Sequence, residues 1–327
     1  MRELTDNICR AIKKSGDGSL KAIDWLGVKK KSCLPVLNGI VGDSLVEHKS
    51  SFALGMDLMG EVRGKKVCIL VHGLCDSDKS WQYPNDTALN YGSLLNKDLG
   101  YSPLLLRYNS GLHISTNGQR FNELLTQIWR HNRHSKREIV FIGHSMGGLV
   151  IRSACHYGQA KNAPWVKQVK KVFLLGTPHL GVDWERLGHF TSVILHKVPS
   201  LVTKGLALLG NKRSAGIKDL RFGYLLDEDW KGQNNEVFWH DNRHQVPLLK
   251  NVDYFILAAK LAKESKNIFS EYFGDGLVPS RSASGKSFFK SKTIPFPPNH
   301  YKALKGLSHR DLSHHPKVYQ FIKKWCA

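Results

Sequence analysis

The stretch that decides the fold is REIVFIGHSMGGLVIRSACHYG, Arg137 to Gly158. An apolar run, Ile139 to Ile142, ends in Gly143-His144-Ser145-Met146-Gly147-Gly148, and apolar residues at helical spacing follow. The pattern is a strand, a sharp turn and a helix, with one serine at the turn. Small residues two before and two after that serine let the strand and helix backbones pass close together, and the hydroxyl then stands clear of the sheet. The helix N-terminus behind it can stabilise developing negative charge. A plainer reading is a glycine-rich turn with a bystander serine. The strand before and the helix after favour Ser145 as a nucleophile, with Gly143 and Gly147 as the small residues of its elbow.

Working outward, strand and helix patterns alternate. Strands are expected at 56–62, 66–73, 101–108, 138–144, 169–178 and 252–260, with helices at 86–100, 118–133 and 146–158 and a closing helix at PKVYQFIKKWCA. Strands that are apolar almost throughout argue for a mostly parallel central sheet covered by helices on both faces. The alternation breaks at 183–244, which reads as a helical cap insertion. The core is then 56–182 and 245–327, preceded by a lead-in, 1–55, read as a short helix and a loop-rich segment, LPVLNGIVGDSLVEHKSSF.

The chain has 327 residues, and 48 Lys and Arg against 27 Asp and Glu give a net charge of +21. That balance points to anionic surfaces. Ser280 to Ala327 alone carry ten basic residues against one acid, Asp311. No zinc-finger spacing or aromatic-basic platform accompanies the charge, so specific nucleic-acid binding is not expected. The six cysteines form no disulfide framework or CxxC pair, which fits a reducing compartment. With no signal-peptide pattern and no long apolar run, the reading is a cytoplasmic protein that can lie peripheral to a membrane.

A serine nucleophile needs a base, a group that orients the base and an oxyanion site. For strand-serine-helix enzymes of this kind the order is serine, carboxylate, histidine. Asp275 in EYFGDGLVPSRSA, past the strand at 252–260, is the expected acid, and an ordinary Asp-Gly turn is the plainer alternative. His309 in ALKGLSHRDLSHHPKVYQFI is the expected base, with His300 in reserve. His314 and His315 precede Pro316 and read as helix-start residues. A metal cluster of His309, His314 and His315 is disfavoured because adjacent histidines rarely share one ion. The oxyanion donors are expected to be the N–H groups of Met146 and of Leu74, in the loop after CILVHG. His72 precedes the serine and reads as a structural brace.

The words VHGLCDSDKSW, RYNSGLHISTNGQ, GHSMGGLVIRSA, LLGTPHLG, GDGLVPSRSA and GLSHRDLSHHPKVY, in order between about 70 and 320, resemble the lipase and esterase branch of the α/β-hydrolases. More narrowly, they look like bacterial hydrolases related to the PGAP1-like lipases. The resemblance implies an α/β-hydrolase fold and Ser145, Asp275 and His309 as nucleophile, acid and base. It implies Leu74 and Met146 as oxyanion donors, and 183–244 as a lid.

The expected activity is hydrolysis of carboxylic esters, lipid or acyl, through an acyl-enzyme on Ser145, with no metal or organic cofactor. Two alternatives stay open. One is acyl transfer by the same serine. The other is a non-catalytic basic module that binds membrane surfaces on a hydrolase fold. Apolar residues at roughly helical spacing, Val193, Ile194, Leu195, Val198, Leu201 and Val202 among them, interleave with Lys197 and Lys204. They read either as a lipid-facing lid or as ordinary packing of cap helices.

Overall fold

The strand patterns fold into a seven-stranded sheet in the computed structural model, which describes residues 33–130, 137–183, 185–188, 213–232, 242–261, 275–287 and 290–327. The strands are β1 (Asp57–Met59), β2 (Lys66–Val71), β3 (Ser102–Arg107), β4 (Glu138–His144), β5 (Val169–Leu175), β6 (Asp253–Lys260) and β7 (Tyr301–Lys305). Their order is β1-β3-β2-β4-β5-β6-β7, and all neighbours are parallel except β1, which runs antiparallel to β3 at the edge.

The apolar strands are buried on both faces because successive residues point to opposite sides. On one side Val67, Ile69, Val71 and Phe141 pack with Phe121 and Leu149, from helices α3 (Ile114–Arg130) and α4 (Met146–Ala160). On the other, Cys68, Leu70, Val140 and Ile142 pack with Tyr91, Leu95, Val318 and Ile322. Those last four belong to α2 (Tyr91–Leu99) and to α7 (Pro316–Cys326), which follows the short α6 (Ser280–Ser284). A buried Leu, Ile or Phe contributes about 1.5–3 kcal/mol against roughly 1 kcal/mol net for a ladder hydrogen bond, so side-chain burial dominates these layers.

This topology fixes where a site can lie. From β2 the chain moves outward to β3, then returns past β2 to β4. Ligands of open α/β sheets bind beyond the carboxyl ends of strands at such a reversal. Ser145 follows β4 and Leu74 lies three residues past β2.

Most expected boundaries fall within a few residues of the observed elements; the expected 56–62 strand shrinks to the three residues of β1, and the expected 118–133 helix begins earlier, at Ile114. The segment read as loop-rich is instead a 14-residue helix, α1 (Leu34–Glu47), kinked at Val41. Its glycines are points of close approach. A β-carbon on Gly39 would lie 2.8 Å from the Cys75 backbone, and one on Gly42 would strike the Asn109 side chain. The short helix expected before α1, and the lid residues Val193, Ile194, Leu195, Lys197, Val198, Leu201, Val202 and Lys204, lie outside the described residues. Within 183–244, helix α5 (Ala215–Phe222) hangs on α1: Ser214 Oγ donates to Gly39 O (2.7 Å) and Ala215 N to Asp43 Oδ2 (2.9 Å).

Helix propensity alone would make Gly39→Ala stabilising by up to about 1 kcal/mol. The packing predicts the opposite sign, a loss of about 1–3 kcal/mol in urea unfolding. A gain in stability would show that α1 does not dock on the loop at Cys75.

Candidate active site

Ser145 sits at φ 53 and ψ −125, a conformation that side chains other than glycine rarely adopt. The fold gives it no room to relax. Ser145 N donates to Leu175 O at the end of β5 (2.8 Å), and Gly148 N returns to Ser145 O (3.1 Å). A β-carbon on Gly143 would come within 2.7 Å of Gly148 Cα, and one on Gly147 would strike the carbonyls of Val71 and His72. These are the two small positions the sequence marked. The Ser145 residue itself is 5% exposed.

The N–H of Met146, the first residue of α4, is among the four that a helix leaves without an intrahelical acceptor. Leu74 lies in the buried loop after β2, and a β-carbon on Gly73 would be 3.0 Å from Ser145 Cβ, so this loop passes directly beside the serine. The YNSG turn after β3 braces the loop. Tyr108 Oη donates to His72 O (2.7 Å), and Cys75 N to Ser110 Oγ (3.1 Å). Asn109 Nδ2 donates to Gly42 O (2.9 Å), tying the same turn to α1. His72 is fully buried, stacks on Tyr108 at 4.4 Å and bonds Gly73 O through Nδ1 (2.9 Å). Burial lowers its pKa to about 4, so it is neutral at pH 7.

Asp275 and His309, 34 residues apart, meet at 2.6 Å between Asp275 Oδ2 and His309 Nδ1, and His309 N also donates to Asp275 O (3.2 Å). They are 3% and 8% exposed. An ionised carboxylate only accepts, so Nδ1 carries the proton and Nε2 of the neutral ring presents a lone pair. Nε2 is buried with no hydrogen-bond partner among the described residues. The other carboxylate oxygen accepts from Leu277 N (3.0 Å) and Val278 N (2.7 Å). Burial alone would raise the Asp275 carboxyl. The charge and hydrogen bond of His309, with the Val278 and Leu277 N–H groups, outweigh burial and hold it below the ordinary carboxylate range.

Two further residues set the His309 ring, and the sequence reading gave neither a role. Gly176, at φ 60, leaves space where a β-carbon would lie 3.0 Å from His309 Nδ1 and Cε1. His144, directly before the serine, donates from Nε2 to His309 O (3.0 Å), and its ring lies 4.9 Å from that of His309. Burial first, then the nearby His309, lowers the His144 pKa to about 3, so it stays neutral. A glycine immediately after an apolar strand was the available signal for Gly176. Nothing local marks His144, because its partner is 165 residues away.

The His309 loop is pinned from outside the site. Tyr91 Oη donates to Leu312 O (3.0 Å) and accepts from His315 N (2.8 Å). Ser313 Oγ lies 3.1 Å from Ser80 O. His315 caps α7, its Nδ1 accepting from Lys317 N (3.1 Å), and His300 bonds Tyr254 O (3.2 Å) away from this cluster. Among the described residues no group of three or more His, Cys, Asp and Glu side chains is arranged to hold a metal ion.

The profile of the family described as "Putative serine esterase (DUF676)" matches residues 61–283. The chain belongs to this family. The match contains Ser145 and Asp275; His309 lies beyond it. Among solved structures, the chain is similar to the mature Bacillus licheniformis lipase BlEst2, at 18% identity and TM-score 0.51, over 83% of this chain and 97% of that one. The propeptide form of that lipase aligns over 83% and 53%, at the same identity and TM-score. The Pyrococcus furiosus esterase Pf2001 follows at 12% identity and TM-score 0.44, over 80% of each chain. At these identities the lipase structures show the α/β-hydrolase fold. No curated protein matches the chain.

Two stability measurements test this geometry. Ser145→Gly should be more stable than Ser145→Ala by about 1 kcal/mol, because only glycine adopts the turn without strain; equal stabilities would contradict a strained turn. The Asp275 carboxyl is lowered in the folded state, so its contribution is present above the unfolded value of about 4 and is lost as pH falls through the folded one. Asp275→Asn should therefore flatten the acid limb of the stability curve, and an unchanged limb would remove that linkage.

Proposed function

We propose that this serine esterase family member hydrolyses carboxylic esters of lipid or acyl type in two steps, with Ser145, His309 and Asp275 as its triad. His309 Nε2 takes the proton from Ser145 Oγ as the oxygen attacks the ester carbonyl. The N–H groups of Met146 and Leu74 hold the oxyanion, and the α4 N-terminus adds to its stabilisation. The intermediate collapses to an acyl-Ser145, and the alcohol leaves with the proton from His309. Water then attacks the acyl carbonyl while His309 takes its proton, and collapse releases the acid and restores Ser145. Asp275 keeps the proton on Nδ1 throughout and stabilises the imidazolium.

The observation that carries this reading is the bond from His309 Nδ1 to Asp275. It leaves a buried Nε2 with no partner among the described residues, on a ring 4.9 Å from that of His144, the residue before Ser145. The family supports ester hydrolysis as the reaction class.

The substrate surface is read as anionic lipid, with 183–244 as the cap over the acyl pocket. Arg281, Lys286, Lys290, Lys302, Lys305, Arg310, Lys317 and Lys324 are exposed, and the stretch that carries them has one acid. Among the described residues no helix is long and apolar enough to cross a membrane.

Hydrolysis of p-nitrophenyl esters of graded chain length tests the chemistry. Ser145→Ala should lower kcat on the order of 10⁶-fold and Asp275→Asn by about 10⁴-fold. A Ser145→Ala enzyme that keeps its turnover would end the proposal. Binding to anionic liposomes should weaken steeply with salt; binding that ignores salt would remove the membrane-surface reading.

A further inference from the structure

A cavity whose wall includes none of Ser145, Asp275 and His309 encloses a buried cation. It holds about 510 Å³, within the range of small-molecule sites. Arg152 and His179 form part of its wall. Arg152 lies seven residues beyond the serine, about 10 Å along α4.

Arg152 is 5% exposed, yet no carboxylate pairs with it among the described residues. Its Nη2 donates to Val246 O (3.1 Å) and its Nη1 to His179 Nδ1 (3.3 Å). Guanidinium has no lone pair to offer, so His179 Nδ1 accepts and the ring proton sits on Nε2. Two buried donors, Arg152 Nε and His179 Nε2, are then left with no acceptor among the described residues. Burial pulls the Arg152 pKa down to about 10, which leaves it charged at pH 7, while burial and then Arg152 hold His179 well below its ordinary value and keep it neutral. Among the described residues the fold therefore holds a buried cation with no counter-charge, an unfavourable arrangement unless an anion joins it.

Arg243, which donates to His179 O (3.3 Å), and Lys292 also line the cavity; among the described residues of its wall the one acid, Asp253, is exposed. The rest of the wall is mixed: Leu180, Leu225, Val246, Leu249, Val252 and Ile294 give it an aliphatic part, beside polar groups such as Gln245 and Thr293. A planar guanidinium fork and one full charge match a carboxylate, and the aliphatic wall matches an apolar body.

We infer that this cavity is a binding site for a monocarboxylate with an apolar body, anchored on the buried charge of Arg152. The inference stands on the cavity alone and does not depend on the chemistry assigned to Ser145.

Calorimetric titration of the full chain with octanoate, octylammonium and inorganic phosphate tests it, using wild type, Ser145→Ala, Val252→Trp, Arg243→Gln and Arg152→Gln. Octanoate should bind one to one in wild type and in Ser145→Ala. Val252→Trp, which fills the cavity from a half-buried wall position, should abolish binding, and Arg243→Gln should weaken it about three- to tenfold. Arg152→Gln, if circular dichroism shows it folded, should lose about tenfold or more. Octylammonium should not bind, and phosphate should bind more weakly than octanoate. No octanoate binding in wild type, binding that survives Val252→Trp, or phosphate binding as tight as octanoate would each overturn the inference. Because Ser145→Ala is carried through the titration, loss of esterase chemistry and loss of this site are read separately.

Discussion

A serine holds φ 53 only where the surrounding backbone leaves it nowhere else to go. Here β4, β5, the loop after β2 and the first turn of α4 converge on one residue. Ser145 N is tied to β5, while Gly143 and Gly147 let strand, helix and loop approach closer than any side chain permits. The rest of the site follows from that convergence. Gly176, directly after β5, clears the space for the His309 ring, and His144, the last residue of β4, holds the His309 backbone. The elements that create the strain therefore also position the histidine, and strain of this kind persists only when the surroundings over-determine it.

Much of this was legible because it is written locally. Strands buried on both faces are apolar throughout, so their alternation with helices announced the parallel sheet. A strand, a glycine-flanked serine and a helix announced the turn. Asp275 and His309 were found separately, from chain order and loop context, and the fold brings them to 2.6 Å. The lipase and esterase resemblance agrees with the family to which the chain belongs; the narrower likeness to PGAP1-like lipases goes beyond what the family match states.

What was not legible depends on contacts distant in sequence. Gly39 and Gly42 read as loop glycines, yet they sit in a helix, where the close approach of Cys75 and Asn109 leaves no room for a side chain. The YNSG turn was part of a family word with no mechanical role, until Tyr108 and Ser110 were seen to hold the loop that carries Leu74. Arg152 had no reading in the sequence beyond its place in the helix after the serine. Its partners among the described residues, Val246 O and His179 Nδ1, arrive from elsewhere in the chain. The net charge of +21 thus has two physical components. Exposed lysines and arginines are solvated and screened, whereas a buried guanidinium keeps its field.

The central claim is that Ser145 is the nucleophile activated by His309 and Asp275. Its most direct test is reaction of the full chain with a fluorophosphonate, followed by intact mass and mapping of the adduct. The account predicts one adduct on the peptide containing Ser145, formed rapidly by wild type and slowed strongly by Asp275→Asn. An adduct on another serine, or labelling of Ser145 at the same rate without the Asp275 carboxylate, would contradict it.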